Sequence, residues 1–431
     1  VAQVGTGPGQ FKAIVGAVAD GPQEVVGELL LARNSGTGPF APLSLTIAQD
    51  TADWARNFLA PHGGQQTSWV GVQVGASDPM KAWRPELFGQ TLAALSRQAR
   101  VGYVFIGTKE ERKAIHLAQT TYRKSGGTAP LCDAVGKTTL PQLAAVLSQC
   151  RLLLTNDTGP MHLAVGVGTP VIDLSVGHVD FRETGPYGPG HWMVHPDLGC
   201  APCGFDQVCL HHACKDRLVP DQIAALCLHV LTGVAFPGFI TGARVYRSRA
   251  DEDGLGSTEL LAGREDPLIE WYGRFWRRFW FEEFSGRASQ VPAHLAPSPD
   301  WADALCVMEH LTPLAKKLVS NAEELVRLTT RRPLPVSALQ QMQRHETAER
   351  QQIVALSMHS PATASLAVAM VRDTHTDDGS ELTDLAQSRL ATYRRWHKRL
   401  HAVATAFRVL NTAQGLVRRG QPRRLPMARS A

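Results

Sequence analysis

Asp157-Thr158-Gly159, with His162 three residues on, joins two apolar runs, Leu152–Leu154 and Met161–Val167. The first run reads as a short buried strand and the second as the start of a helix. Asp and Thr are helix-capping types, and Gly allows the backbone to turn tightly. A strand, a turn and a helix N-terminus together make an anion site, because the first N–H groups of a helix have no partner within it and the helix dipole adds positive potential there. His162 falls in the first turn, within reach of the same ligand. The expected ligand is a phosphate or diphosphate; the competing reading is a well-capped connection that binds nothing.

Two further stretches carry chemistry of the same kind. Gly75-Ala76-Ser77-Asp78-Pro79-Met80-Lys81-Ala82-Trp83 follows the apolar run Val70–Val74. Its small residues let a ligand approach the backbone, Ser77 offers a hydroxyl and Lys81 a mobile positive charge, although a lysine in a loop is also an ordinary solvated one. Gly107-Thr108-Lys109-Glu110-Glu111-Arg112 follows Val101–Ile106. Its acids suit a sugar hydroxyl, or simply the first turn of a helix, where the dipole favours them.

The elements that must position these loops alternate. Strands are predicted at 70–74, 101–106, 151–155 and 171–174, and helices at 84–98, 110–123 and 140–147. That alternation implies a parallel sheet covered on both faces, with ligands at the carboxyl ends of its strands. All three loops fall at such ends.

Upstream of the Asp157 turn lies Gly136-Lys137-Thr138-Thr139-Leu140-Pro141-Gln142-Leu143-Ala144-Ala145-Val146-Leu147. Downstream come Gly168-Thr169-Pro170-Val171-Ile172-Asp173-Leu174 and Arg182-Glu183-Thr184-Gly185-Pro186-Tyr187-Gly188. This succession resembles the nucleotide-binding half of family 9 glycosyltransferases, the bacterial heptosyltransferases of lipopolysaccharide core synthesis, over roughly residues 67–230. The resemblance implies a GT-B architecture whose Rossmann-like donor domain holds a nucleoside-diphosphate sugar. It makes Ser77, Lys81, Glu111, Asp157, Thr158, Gly159 and His162 the donor-binding residues, with Trp83 a packing residue. Glu111 would reach the donor ribose, although the family's usual Gly-Gly pair is here Gly107-Thr108. It also implies inverting transfer of a sugar, heptose from an ADP-linked donor, to a lipopolysaccharide-type or other glycan acceptor. With no Asp-x-Asp motif near the loops, transfer is expected to need no metal or other cofactor. The family's general base is an Asp of an N-terminal domain, and residues 1–66 read as a remnant of that domain in a chain that begins at Val1. The catalytic base is expected in the missing part of that domain, and residues 1–66 offer no secure counterpart. The alternative function is a non-catalytic nucleotide-sugar-binding or scaffold protein.

The expected organisation is a remnant at 1–66, the nucleotide-sugar-binding domain at 67–235, a linker at 236–265, a helical accessory domain at 266–415 and a basic tail at 416–431. Cys200, Cys203, Cys209 and Cys214 lie in fifteen residues and suit a structural zinc site; two local disulfides or free thiols are the alternatives. Cys132, Cys150, Cys227 and Cys306 sit in apolar settings and read as core. In 271–284, Trp276, Phe279, Trp280 and Phe284 share a helical face with arginines off it, which reads either as an inner-membrane interfacial helix or as a face docked on the accessory domain.

The 431 residues are 44% hydrophobic and 19% charged with net charge +5, ordinary for a soluble globular chain. No apolar run is long enough to span a membrane and no secretory signal is visible, so a cytoplasmic location is expected, peripheral at the inner membrane if a lipid-linked acceptor is used. Residues 391–431 carry ten Arg and Lys and no Asp or Glu. They suit an anionic surface or a solvated tail, but no nucleic-acid motif accompanies them, and no nucleic-acid partner is expected.

Overall fold

The computed structural model describes residues 44–63, 67–204, 209–236, 238, 240–250, 256–264, 271–273, 275–276, 279–280, 302–358, 360, 362–374 and 381–420. The chain divides into two compact units, one ending at Glu265 and the other beginning at Asp266.

The first unit opens with α1 (Gln49–Gly63). There follow β1 (Ser68–Gln73), α2 (Pro85–Ser96), β2 (Val101–Ile106), α3 (Arg112–Lys124), β3 (Leu131–Asp133), α4 (Leu140–Ser148), β4 (Cys150–Thr155), α5 (Gly159–Gly166) and β5 (Val171–Leu174). The unit is completed by α6 (Phe181–Thr184), β6 (Trp192–Pro196), α7 (Ala213–Asp216), α8 (Pro220–Thr232), β7 (Ala243–Ala250) and β8 (Gly256–Ala262). The sheet order is β3-β2-β1-β4-β5-β6-β7-β8. β1 to β6 pair in parallel, and β7 and β8 add an antiparallel edge.

The two-residue period of the strands sends their apolar residues to both faces. Val70 and Val72 of β1, Tyr103 and Phe105 of β2, and Leu152 and Leu154 of β4 pack with Phe88 and Leu92 of α2, Ile115 and Tyr122 of α3, and Ile223 and Leu226 of α8. Trp69, Val104, Ile106 and Leu153 point the other way, onto Ala55 and Leu59 of α1, Val146 and Leu147 of α4, and Leu163 of α5. Each such aliphatic side chain contributes about 1.5–3 kcal/mol on burial. The start of α4 is fixed by a reciprocal cap, in which Thr139 Oγ1 accepts from the Gln142 N–H and the Gln142 side chain accepts from the Thr139 N–H.

Within the segment expected to be a linker, 236–265, residues 243–250 and 256–262 are strands of the sheet: β7 lies on β6 and β8 on β7. The sequence hides this because the register shifts between Val245 and Tyr246, so two adjacent residues are buried and the apolar-polar alternation is lost. Arg244, Arg247 and Arg249 add to its polar look, yet Arg247 lies over the Trp192 ring.

The second unit contains α9 (Ala302–Thr329), α10 (Val336–Met358), α11 (Ala364–Thr374) and α12 (Leu382–Gly420). Trp271, Phe275, Trp276, Phe279 and Trp280 are all buried in it. Phe275 packs on Phe407 and Trp280 on Trp396 of α12, while the Trp276 and Trp280 indoles donate to Ala362 O and Ser365 Oγ. The aromatic face is thus docked inside the helical unit rather than free for a membrane interface; Phe284 lies outside the described residues. Among the described residues no helix is long and apolar enough to cross a membrane.

Candidate functional site

The chain runs outward from β1 through β2 to β3, then returns to place β4 on the other side of β1. The crevice between the carboxyl ends of β1 and β4 is therefore a topological switch point, where ligands of such sheets bind. Ser77, Lys81, Asp157, Thr158, Gly159 and His162 lie on the connections that leave those two strands, and Glu111 follows the neighbouring β2.

Asn156 ties the two sides of the crevice together. It is fully buried, its amide donates to Val74 O and Gly75 O at 2.9 and 3.2 Å, and its oxygen accepts from the Trp83 N–H at 2.9 Å. The loop after β1 is thereby held against the turn after β4. Within that loop Asp78 Oδ1 accepts from the Met80 N–H and starts the short 3-10 turn Pro79–Lys81. Trp83 is buried, as expected of a packing residue, and its indole donates to Lys215 O, while the Lys215 ammonium donates to Pro79 O at 2.6 Å. Residues 213–216 thus clamp the loop that carries Ser77 and Lys81. Ser77 itself is exposed.

Glu111, rather than its exposed neighbour Glu110, faces the crevice. Its carboxylate accepts from the Gln73 amide at 3.0 Å and from the Thr108 N–H at 2.7 Å. Gly75 and Gly107 make room for it: a Cβ on Gly75 would overlap the carboxylate, and one on Gly107 would lie 2.7 Å from Oε2. Gly107 also has φ +147°, a conformation that favours glycine.

The Asp157 turn differs from expectation in one respect. The N-cap of α5 is Thr158, and no side chain caps the helix. Asp157 does not spend its oxygens on backbone N–H groups: Oδ2 accepts from the Thr184 hydroxyl and lies 3.9 Å from Lys81 Nζ. Pro160 has no N–H and the Met161 N–H donates to Thr158 O, so with no side-chain cap it is the Gly159 N–H that remains open to an anion. A Cβ on Gly159 would meet nothing within 4 Å, so the helix start faces open space. His162 is buried against this cluster. Burial lowers its pKa, the Asp157 carboxylate opposes that shift and Lys81 adds to it. The ring is therefore neutral near pH 7 and offers a single N–H.

Asn156, Thr184, Asp173 and Lys215 belong to the arrangement but carried no assigned role in the sequence. Asn156 sits inside the singled-out turn, and its neutral amide between β4 and Asp157 is the signal that was open to reading. Thr184 and Lys215 join the site over 27 and 136 residues, and no local pattern announces such contacts.

The zinc expectation is not met. All eight cysteines are free thiols, and among the described residues no three His, Cys, Asp or Glu side chains converge to hold a metal. Burial raises the Cys203 pKa, and Cys214, Cys209 and Cys200 add to the rise, so the thiols are neighbours without forming a ligand set. A dense spacing places cysteines near one another along the chain, but tetrahedral ligation also requires their Sγ atoms to converge.

Residues 37–213 match the model of "Glycosyltransferase family 9 (heptosyltransferase)". Lipooligosaccharide heptosyltransferase 2 of Campylobacter jejuni is 28% identical over 158 residues, covering 36% of this chain and 48% of that protein. Lipopolysaccharide core heptosyltransferase OpsX of Haemophilus influenzae is 32% identical over 148 residues, 33% of this chain and 39% of the relative. Among solved structures, a family 9 glycosyl transferase of Veillonella parvula is 27% identical with TM-score 0.32, covering 35% of this chain and 42% of its own. The chain thus spans about half or less of the length of these curated relatives. Over residues 37–213, this chain is similar to the family 9 glycosyltransferases, the heptosyltransferases.

Proposed function

We propose that the β1/β4 crevice binds a nucleoside-diphosphate sugar and serves as the donor site of a glycosyltransferase. The sugar is heptose from an ADP-linked donor, passed with inversion and without a metal to a lipopolysaccharide-type or other glycan acceptor. The observation that carries this reading is the pairing of Lys81 with Asp157 beside the uncapped start of α5 at the switch point of the sheet.

The chemistry follows from charge. As the glycosidic bond breaks, negative charge grows on the departing diphosphate, and groups already aimed at it lower the barrier. The Gly159 N–H at the start of α5 and the Lys81 ammonium supply such donors, and neutral His162 adds one hydrogen bond. Lys81 is only loosely held by Asp157, at 3.9 Å and partly exposed, so it can turn to the ligand without breaking a short ion pair. Glu111, fixed in place by Gln73 and Thr108, accepts from the ribose hydroxyls. Acceptor activation requires a base beyond these residues, an Asp on the side of the acceptor.

Calorimetric titration with ADP, UDP and GDP, beside Lys81→Ala, tests the reading. Selective binding that Lys81→Ala weakens supports it; indifference to all three nucleotides refutes it. Turnover of an ADP-linked heptose with a glycan acceptor then separates a transferase from a protein that only binds the donor.

A further inference from the structure

Asp173 is a fully buried carboxyl at the carboxyl-terminal part of β5 that the donor reading does not use. Its Oδ2 accepts from the Ser175 hydroxyl at 2.6 Å, and its Oδ1 has no hydrogen-bond partner. In the sheet it stands beside Thr155 of β4 and Met193 of β6. The ionisable groups that act on it are Asp157, from the turn after β4, and Lys81, from the turn after β1. His162 of α5 faces the same two residues.

The charges of this cluster balance in one way. Lys81 is one cation for two carboxyls, it lies against Asp157, and burial holds His162 neutral. A second carboxylate at position 173 would have to share Lys81 with Asp157 and would lie out of reach of solvent, a state that costs far more than holding a proton. The proton has a place on Oδ1, the oxygen without a partner. We infer that Asp173 is a positioning acid which must keep its proton for the crevice to accept a diphosphate. The inference rests on the donor-site reading above. An anionic Asp173 would draw Lys81 away from the ligand and repel the incoming phosphates through a low-dielectric interior. The neutral acid leaves Lys81 free to turn outward. Burial, with Asp157 adding to it, raises the Asp173 pKa to about 8, against the opposing effects of Ser175 and Lys81, so the proton is held at neutral pH and released in mildly alkaline solution.

The test is calorimetric titration of the full chain with ADP, UDP and GDP between about pH 7 and about pH 9.5, for the wild type and for Asp173→Asn. Asparagine keeps an acceptor for the Ser175 hydroxyl and cannot ionise. Wild-type affinity should hold near neutrality and fall about tenfold over the unit of pH above 8, whereas Asp173→Asn binds as well at neutral pH and loses that fall. Identical pH profiles overturn the inference, as does a variant that melts normally but binds poorly at neutral pH. Should neither protein bind any nucleotide, the donor reading has failed, and thermal unfolding without nucleotide still judges the proton. The unfolded chain releases it near about pH 3.9 and the folded chain near about 8, so wild-type stability falls between those values and levels off above them. The melting advantage of Asp173→Asn should therefore widen from about pH 5 to about pH 8 and then stay constant; no widening overturns the neutral acid.

Discussion

Glu111 occupies the space that a side chain at position 75 would need: a Cβ built on Gly75 overlaps its carboxylate. Gly75 lies just past the end of β1 and Glu111 at the entry to α3, so a missing side chain on one loop sets the position of an acid on another. Gly75→Ala should push the carboxylate off Gln73 and Thr108 and weaken nucleoside-diphosphate binding by about tenfold, with little change in melting. In a double-mutant cycle, Gly75→Ala on top of Glu111→Ala should cost almost nothing further. Additive losses would show that Gly75 acts independently of Glu111.

Asn156→Ala should be the most disruptive single change at the site. It removes two donated hydrogen bonds and one accepted bond, and leaves the Trp83 N–H and the Val74 carbonyl without that partner in a dry interior. A loss of about 3 kcal/mol in denaturant unfolding is expected, together with loss of nucleotide binding. A well-folded Asn156→Ala that binds normally would show that the two loops do not depend on this tie.

Thr184→Val keeps shape but deletes the hydroxyl that Asp157 uses. A buried carboxylate that loses a donor should pull harder on Lys81, so the variant is expected to bind nucleoside diphosphate about three- to tenfold more weakly. Because a charged contact carries the effect, the loss should shrink with added salt in the titration buffer.

His191, just before β6, and His195 within it have pKa values lowered to about 4, chiefly by burial, with Arg244 adding to the shift at His195. The unfolded chain takes up these protons near about pH 6.5 while the folded chain resists until near 4. Stability from each is present above pH 6.5 and lost as pH falls toward 4, up to about 3 kcal/mol per histidine. His195→Gln should flatten that acid limb of a melting-temperature profile, and an unchanged slope would contradict the burial argument.

Thiol reactivity should sort the cysteines by exposure. Cys200 and Cys306 are exposed, whereas Cys150 and Cys227 are buried and pushed up to about 12. Mass spectrometry after mild alkylation of the native protein should find label at the first pair and find it at the second pair only after unfolding. Native labelling of Cys227 would mean that α8 opens from the sheet.

Much of the β1/β4 crevice was legible in the amino-acid sequence because strands and helices write themselves in local periodicity. Val101–Ile106 is a strand as read, and the connection from β4 into α5 carries the expected turn. β3 escaped notice because three residues cannot display a period, and β7 because a shift of register breaks its alternation. What local pattern cannot hold is the partner of a polar group. That Asp157 turns to Thr184, that Glu111 lies against Gly75, and that Asp173 is fully buried with one oxygen unpartnered were decided only when the sheet brought distant segments together. Burial then raised the pKa of one acid, Asp173, lowered that of His162 and left Lys81 a loosely held cation. The same holds beyond Asp266, where the sequence supplied an aromatic face and tertiary packing on α12 determined that it lies inside the helical unit.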